Sequence, residues 1–112
     1  MKARINLIVL YTSDLEKTKQ FYETIGLVFV KEKHGIGPNH YACALDNGLV
    51  IELYPSNKSG GGRLGFEVTN LQAVLEALGV GESYIKGMTK FSNNTVVIHD
   101  PDNRPVHLSE RK

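Results

Sequence analysis

The chain has 112 residues, which is the size of one domain with a modest hydrophobic core. Thirteen Lys and Arg against twelve Asp and Glu leave a formal net charge of +1, so neither a nucleic-acid footprint nor an acidic tail is present. Cys43 is the only cysteine, which excludes a disulfide scaffold and a zinc ribbon and makes a reducing cytoplasm the expected location. The apolar run Leu7 to Tyr11 is too short to span a membrane, so we expect a soluble protein with no membrane partner.

The chain begins with a predicted strand, helix and strand. Residues 5–12 are β-branched and apolar, which predicts a central strand buried on both faces. Ser13 and Glu16 have the spacing of a capping box, and apolar residues then recur at helical spacing until Gly26 ends the helix. The second strand is predicted over residues 27–31.

A loop over residues 32–39, which contains two glycines and a proline, leads into a predicted β-hairpin over residues 40–55. The turn is Asp46-Asn47-Gly48, where Asn and Gly are expected to supply positive φ angles. If Leu45 opposes Leu49, one face is apolar and is expected to be covered by helices: Tyr41, Cys43, Leu45, Leu49, Ile51 and Leu53. The other face is expected to form a cavity wall: His40, Ala42, Ala44, Val50, Glu52 and Tyr54.

The second half of the chain repeats the order of the first. Residues 56–62 predict a flexible linker rather than a phosphate-binding loop, because the glycines precede a strand and no Gly-Lys-Ser/Thr follows. A strand is predicted over residues 63–68, and Thr69 with Gln72 repeats the capping-box spacing at an offset of 56 residues from Ser13. The further strand candidates are residues 83–86, 95–100 and 105–109. The sequence therefore predicts a single domain over 1–112, made of a βαβββ module over 1–55, a linker over 56–62 and a second module over 63–112.

The duplication also predicts which residues meet. Leu7 and Arg63 occupy the same place in the first strands of the two modules, and Glu52 and His107 correspond in the last strands. If the modules face each other around a pseudo-twofold axis, these side chains converge on one cavity. The predicted cavity residues are Leu7, His40, Glu52, Tyr54, Arg63 and His107. The alternative is that Arg63 and His107 are merely exposed strand residues.

Two stretches of the sequence carry a family resemblance. The stretch Tyr11 to Tyr22 (YTSDLEKTKQFY), followed by Ile25-Gly26-Leu27, resembles the opening of the vicinal oxygen chelate superfamily, which includes glyoxalase I, bleomycin-resistance proteins, fosfomycin-resistance enzymes and extradiol dioxygenases. The closing stretch Asp100 to Leu108 (DPDNRPVHL) resembles the terminal turn and strand of that superfamily. The resemblance implies an α+β fold in which two tandem βαβββ modules form a curled mixed sheet, a half-barrel around a ligand cavity, with helices on the outer face, usually in a homodimer.

The resemblance also bears on metal binding. Metal-dependent members carry His, Glu, His and Glu, or close variants, at four cavity positions, which here hold Leu7, Glu52, Arg63 and His107. Leu7 cannot coordinate an ion, and the fixed charge of Arg63 repels a divalent cation. The resemblance therefore implies a member without the usual metal site and without a cofactor. The alternative is a shifted divalent-metal site formed by His40, Glu52 and His107, whereas His34 and His99 are expected to be loop or strand-end residues.

Two classes of function stay open at this point. The first is a metal-free protein that binds a small molecule, and the second is a lyase, isomerase or dioxygenase that acts on a small polar metabolite through a shifted metal site. Binding is the favoured class. A cavity in which Arg63 offsets Glu52 is expected to suit a polar ligand with an anionic or carbonyl group.

Overall fold

The computed structural model describes residues 4–58, 60–79, 89–92 and 95–111. These residues form two four-stranded mixed sheets and two helices, an α+β fold as the sequence predicts. The elements are β1 (Leu7–Thr12), α1 (Leu15–Ile25), β2 (Val30–Glu32), β3 (His40–Ala44), β4 (Val50–Pro55), β5 (Leu64–Val68), α2 (Leu71–Ala77), β6 (Thr89–Ser92), β7 (Thr95–His99) and β8 (Pro105–Glu110). Neither helix is long and apolar enough to cross a membrane.

Each half of the chain builds one sheet, and both sheets have the same strand order. The first sheet runs β1-β4-β3-β2 and the second runs β5-β8-β7-β6. In each sheet the first and last strands of the half pair in parallel and the other pairs are antiparallel. The predicted repeat of βαβββ order is therefore confirmed: each half forms one mixed sheet, and the sheets do not close into a barrel.

The predicted hairpin is confirmed as β3 and β4. The Leu45 backbone N–H donates to the Leu49 carbonyl at 2.8 Å, and the predicted apolar face is buried, with Cys43 2% exposed. The turn differs from the prediction, because Gly48 has a positive φ of 88° but Asn47 does not. The Asn47 side chain instead accepts a hydrogen bond from the Leu49 N–H at 3.1 Å, which stabilises the turn without a positive φ at Asn47.

Strand β1 is buried on one face only, so the prediction of a strand buried on both faces is wrong. Leu10 and Thr12 are buried, whereas Leu7 and Tyr11 are 49% and 51% exposed. The core packs only on the face that carries Leu10, and β1 is an edge strand rather than a central one. The other face of this sheet is open in the described part of the chain.

Both helices begin one residue later than the capping boxes predict. Asp14 and Asn70 are the N-cap residues, and each side chain accepts the backbone N–H three residues further on, at 3.1 and 3.0 Å. The predicted cap Ser13 instead donates its hydroxyl to Asp102 in the second half of the chain, at 2.8 Å. In α2 the N-cap is likewise Asn70 and not the predicted Thr69, so the two halves of the chain also share the position of the helix cap.

Other boundaries differ for local reasons. Gly26 ends α1 with a φ of 127°, as predicted, but the next N–H still bonds back to the last helical turn. The second strand therefore begins at Val30 rather than at residue 27. The predicted strand at 83–86 lies outside the described residues, and the strand Thr89–Ser92 was not predicted.

A buried polar network joins the two halves of the chain. The Arg104 guanidinium is 1% exposed, pairs with the Asp100 carboxylate, and donates to the carbonyls of Tyr11 and Gly61 at 2.9 Å each. The Tyr22 hydroxyl on α1 donates to Asp100 at 2.7 Å. Burial, and then the hydrogen bond to Asp100, raise the pKa of Tyr22 well above its ordinary value of 10.0. These bonds hold the turn over residues 100–104, the closing turn, against α1, β1 and the linker.

Candidate functional site

The open face of the first sheet carries the candidate functional residues. Strand pairing places side chains in rows across this face, because alternate residues of a strand point to the same side. One row consists of Tyr11, Tyr54, His40 and Glu32. The adjacent row consists of Val9, Glu52, Ala42 and Val30. The predicted pairing of β3 with β4 therefore puts His40 and Glu52 one diagonal step apart.

His40 is the centre of this face. Its side chain is 1% exposed, and its ring stacks on that of Tyr54 with a centroid separation of 4.2 Å. The Nε2 atom lies 3.2 Å from Glu32 Oε1 and 3.5 Å from Glu52 Oε2. The Nδ1 atom lies 3.4 Å from the Pro38 carbonyl, which can only accept, so we assign a hydrogen to Nδ1. The other nitrogen, Nε2, then faces the carboxylates of Glu32 and Glu52.

His34 joins this group although the sequence placed it among the loop residues. Its Nε2 lies 3.7 Å from Glu32 Oε1, and its ring centroid is 5.1 Å from that of His40. The donor atoms of Glu32, His34 and His40 all lie within 4.8 Å of one another. Neither Glu32 nor His34 was predicted to be functional. No periodic pattern in the sequence indicated His34, because it lies in the loop after β2.

A cavity of about 540 Å³ lies on the same face. Its lining is apolar with two carboxylates, and it consists of Val28, Val30, Glu32, Ala42, Ala44, Val50 and Glu52. No Lys or Arg is among these lining residues. Partial burial, together with the charges of Glu52 and Glu32, raises the pKa of the neighbouring Tyr54 above its ordinary value of 10.0. The site is therefore acidic and otherwise apolar.

The remaining predicted cavity residues are Leu7, Arg63 and His107. Arg63 and His107 belong to the second half of the chain, where Arg63 Nη1 donates to His107 Nε2 at 3.1 Å. Leu7 lies on the open face at the edge of the first sheet, opposite Val50. Within the described residues no ion pair of 4.0 Å or less joins Glu52 to Arg63. The convergence of Leu7 and Glu52 with Arg63 and His107 on one cavity stays a prediction.

Two other cavities are present in the described part of the chain. One of about 390 Å³ lies between β1 and the start of β5, with Tyr11, Arg63 and Arg104 among its lining residues. The other, of about 490 Å³, lies between the helices, and Lys17 and Ala77 are among its lining residues. The open-face cavity differs from both because its lining has carboxylates and no cation.

Comparison with known proteins identifies the family. The sequence model of the Glyoxalase/Bleomycin resistance protein/Dioxygenase superfamily matches residues 4–106. The chain belongs to this superfamily. The predicted resemblance is therefore confirmed. No curated protein matches the chain.

Solved structures of other proteins share the fold. An integron cassette protein from the mobile metagenome of V. cholerae has a TM-score of 0.67 and 18% identity, over 100% of this chain and 98% of that one. TnmS3, an antibiotic binding protein from Streptomyces sp. CB03234, has a TM-score of 0.65 and 20% identity, over 99% and 98%. The fosfomycin resistance protein FosX from Listeria monocytogenes has a TM-score of 0.66 and 16% identity, over 100% and 94%. At these identities the likeness concerns the fold alone.

Proposed function

We propose that this superfamily member binds a small organic molecule on the open face of the first sheet. The observation that carries the proposal is the composition of the open-face cavity. Ala42 and Ala44 leave room at its centre, while valines supply an apolar wall and Glu32 and Glu52 supply hydrogen-bond acceptors at one end. A mostly apolar concavity with a few convergent polar groups is the usual form of a ligand site.

The ligand class follows from the charge of the lining. The expectation of an anionic ligand depended on Arg63 next to Glu52, but Arg63 bonds to His107 in this chain. Two carboxylates without a lining Lys or Arg favour a ligand with an apolar body and a cationic or hydrogen-bond-donating group. The antibiotic binding of TnmS3 and the fosfomycin resistance of FosX support antibiotics as first probes.

The proposal includes a metal-free state for the four family positions. Leu7 has no donor atom, and the Arg63 guanidinium donates to His107 Nε2, the lone pair that a metal would need. A second candidate function is a lyase, isomerase or dioxygenase with a shifted metal site. The grouping of Glu32, His34 and His40 favours it, because these residues supply the donor types of such sites.

We further propose that the protein is a cytoplasmic homodimer. Cys43 is buried and unpaired, which suits a reducing compartment. Large apolar side chains are exposed on or near the open face: Ile5, Leu7, Tyr11, Val28 and Val30. A second copy that covers these residues would remove them from water and would give the open-face cavity a second wall.

Calorimetric titration tests the proposal, with metal-free bleomycin, which carries amine groups, as the expected ligand and with the anionic fosfomycin as the contrasting probe. Ala42→Phe fills the centre of the cavity and is expected to weaken binding about tenfold or more, because the aromatic ring occupies the ligand volume. Ala73→Phe, at an exposed position on α2, is the matched control and should bind like the wild type. Equal affinities for the Ala42→Phe variant and the wild type would place the binding surface elsewhere.

A further inference from the structure

We propose that Glu32, His34 and His40 form a binding site for a divalent transition-metal ion. The site lies on the open face of the first sheet and includes neither Arg63 nor His107. The site shares Glu32 with the open-face cavity, but it is formed by the donor atoms of these three residues and does not require the organic ligand.

The distances between donor atoms fit tetrahedral coordination. Metal–ligand bonds of about 2.0–2.1 Å at tetrahedral angles separate neighbouring donor atoms by about 3.3 Å. The observed separations from Glu32 Oε1 are 3.2 Å to His40 Nε2 and 3.7 Å to His34 Nε2. The third separation, between the His34 and His40 donor atoms, is within 4.8 Å, and His34, whose side chain is 74% exposed, is free to turn its ring towards His40 when an ion binds.

The orientation of His40 supports the same site. Its Nδ1 lies against the Pro38 carbonyl at 3.4 Å, which is the backbone contact that commonly fixes the ring of a metal-binding histidine. Its Nε2 is thereby directed at the carboxylates of Glu32 and Glu52. An ion bound to Nε2 would therefore also lie next to both carboxylates.

The site is accessible to an ion from solvent. The His34 and Glu32 side chains are 74% and 37% exposed, and only His40 is enclosed. Glu52 lies 3.5 Å from His40 Nε2 but outside the three-residue group, so it stands next to a coordination position that these three residues leave open. Imidazole and carboxylate donors in this number favour Zn²⁺, Co²⁺, Ni²⁺ or Fe²⁺ over Ca²⁺ and Mg²⁺, which prefer oxygen ligands alone.

Titration with Co²⁺ tests the proposal on untagged full-length protein that has been treated with chelator. The visible absorption of Co²⁺ reports its coordination geometry, and displacement by Zn²⁺ reports the affinity for that ion. We expect one Co²⁺ per chain. His34→Ala and Glu32→Gln are expected to weaken binding about tenfold or more, and both positions are exposed enough for the variants to fold.

The chain has four histidines, so His99→Ala and His107→Ala are matched controls that should bind Co²⁺ within about twofold of the wild type. Loss of binding in His107→Ala but not in His34→Ala would place the ion at the family position and overturn the proposal. Absence of a Co²⁺ spectrum at micromolar protein, or equal small losses in all variants, would show no site or an adventitious ion only, and would overturn it as well.

Discussion

Arg104 is the residue on which the junction of the two halves depends. It is enclosed, paired with Asp100, and bonded to two backbone carbonyls from β1 and the linker. Removal of one partner from a buried ion pair leaves an uncompensated charge, which is far more costly than the loss of an exposed pair.

Arg104→Met should therefore lower the free energy of unfolding by roughly 3–5 kcal/mol, measured by urea denaturation. Arg111→Met, at an exposed position, is the control and should change it by less than about 0.5 kcal/mol. Similar losses in the two variants would mean that the buried pair is not what holds the closing turn in place.

Tyr22 gives the network a pH dependence. Its pKa is raised in the folded protein, chiefly by burial, so both the folded and the unfolded chain keep the proton below about pH 10. Above that pH the unfolded chain releases the proton first. The stability that Tyr22 contributes is thus fully present below its ordinary pKa of 10.0 and is lost as the pH rises towards the folded pKa.

The difference in unfolding free energy between the wild type and Tyr22→Phe should shrink as the pH rises above about 10. Denaturant unfolding of both proteins between about pH 8 and 11 measures this difference. A constant difference over the whole range would show that the Tyr22 pKa is not raised in the folded protein.

Part of the residue-level arrangement followed from the sequence. Leu45 and Leu49 set the register, and the register fixed the proximity of His40 to Glu52. His34 could not be placed, because it follows β2 in a loop whose path is set by local turns rather than by a repeating pattern.

The helix caps show the limit of local patterns at the level of elements. Ser13-Asp14 and Thr69-Asn70 each offer two adjacent cap-type side chains, and the capping-box rule selects the first. In the structure the N-cap is the second residue of each pair, Asp14 or Asn70. At the first helix the reason is a contact with Asp102, far along the chain, which occupies the Ser13 hydroxyl.

Asn70→Ala should accordingly lower the free energy of unfolding by about 1 kcal/mol, because a backbone N–H at the start of α2 loses its partner. Thr69→Ala, one residue earlier, should change it by only a few tenths of a kcal/mol. Thermal or urea unfolding of the two variants measures these losses. A larger loss in Thr69→Ala than in Asn70→Ala would restore the capping-box assignment.

At the scale of the molecule, the repeat of βαβββ order was predictable because it is written twice in the sequence. The one-sided burial of β1 was not predictable, because an apolar strand has the same composition whether its second face meets a helix or a second copy of the chain. The open face of the first sheet is where these two possibilities differ.

The proposed homodimer can be tested at Val30, which is 63% exposed on this face. Light scattering should give a dimer for the wild type and a monomer for Val30→Lys, since a lysine buried in the interface would lose its hydration. Ala73→Lys on α2 should remain a dimer. A monomeric wild type across micromolar concentrations contradicts the homodimer.

The central claim is that the open face of the first sheet binds the ligand, and the five alanines of the chain allow a direct test. Ala42 and Ala44 line the open-face cavity, whereas Ala77 lines the cavity between the helices and Ala73 is exposed on α2. In protein labelled with ¹³C at the alanine methyl groups, saturation with metal-free bleomycin should shift the Ala42 and Ala44 resonances and leave those of Ala73 and Ala77 in place. A shift at Ala77 with Ala42 and Ala44 unchanged would contradict the account.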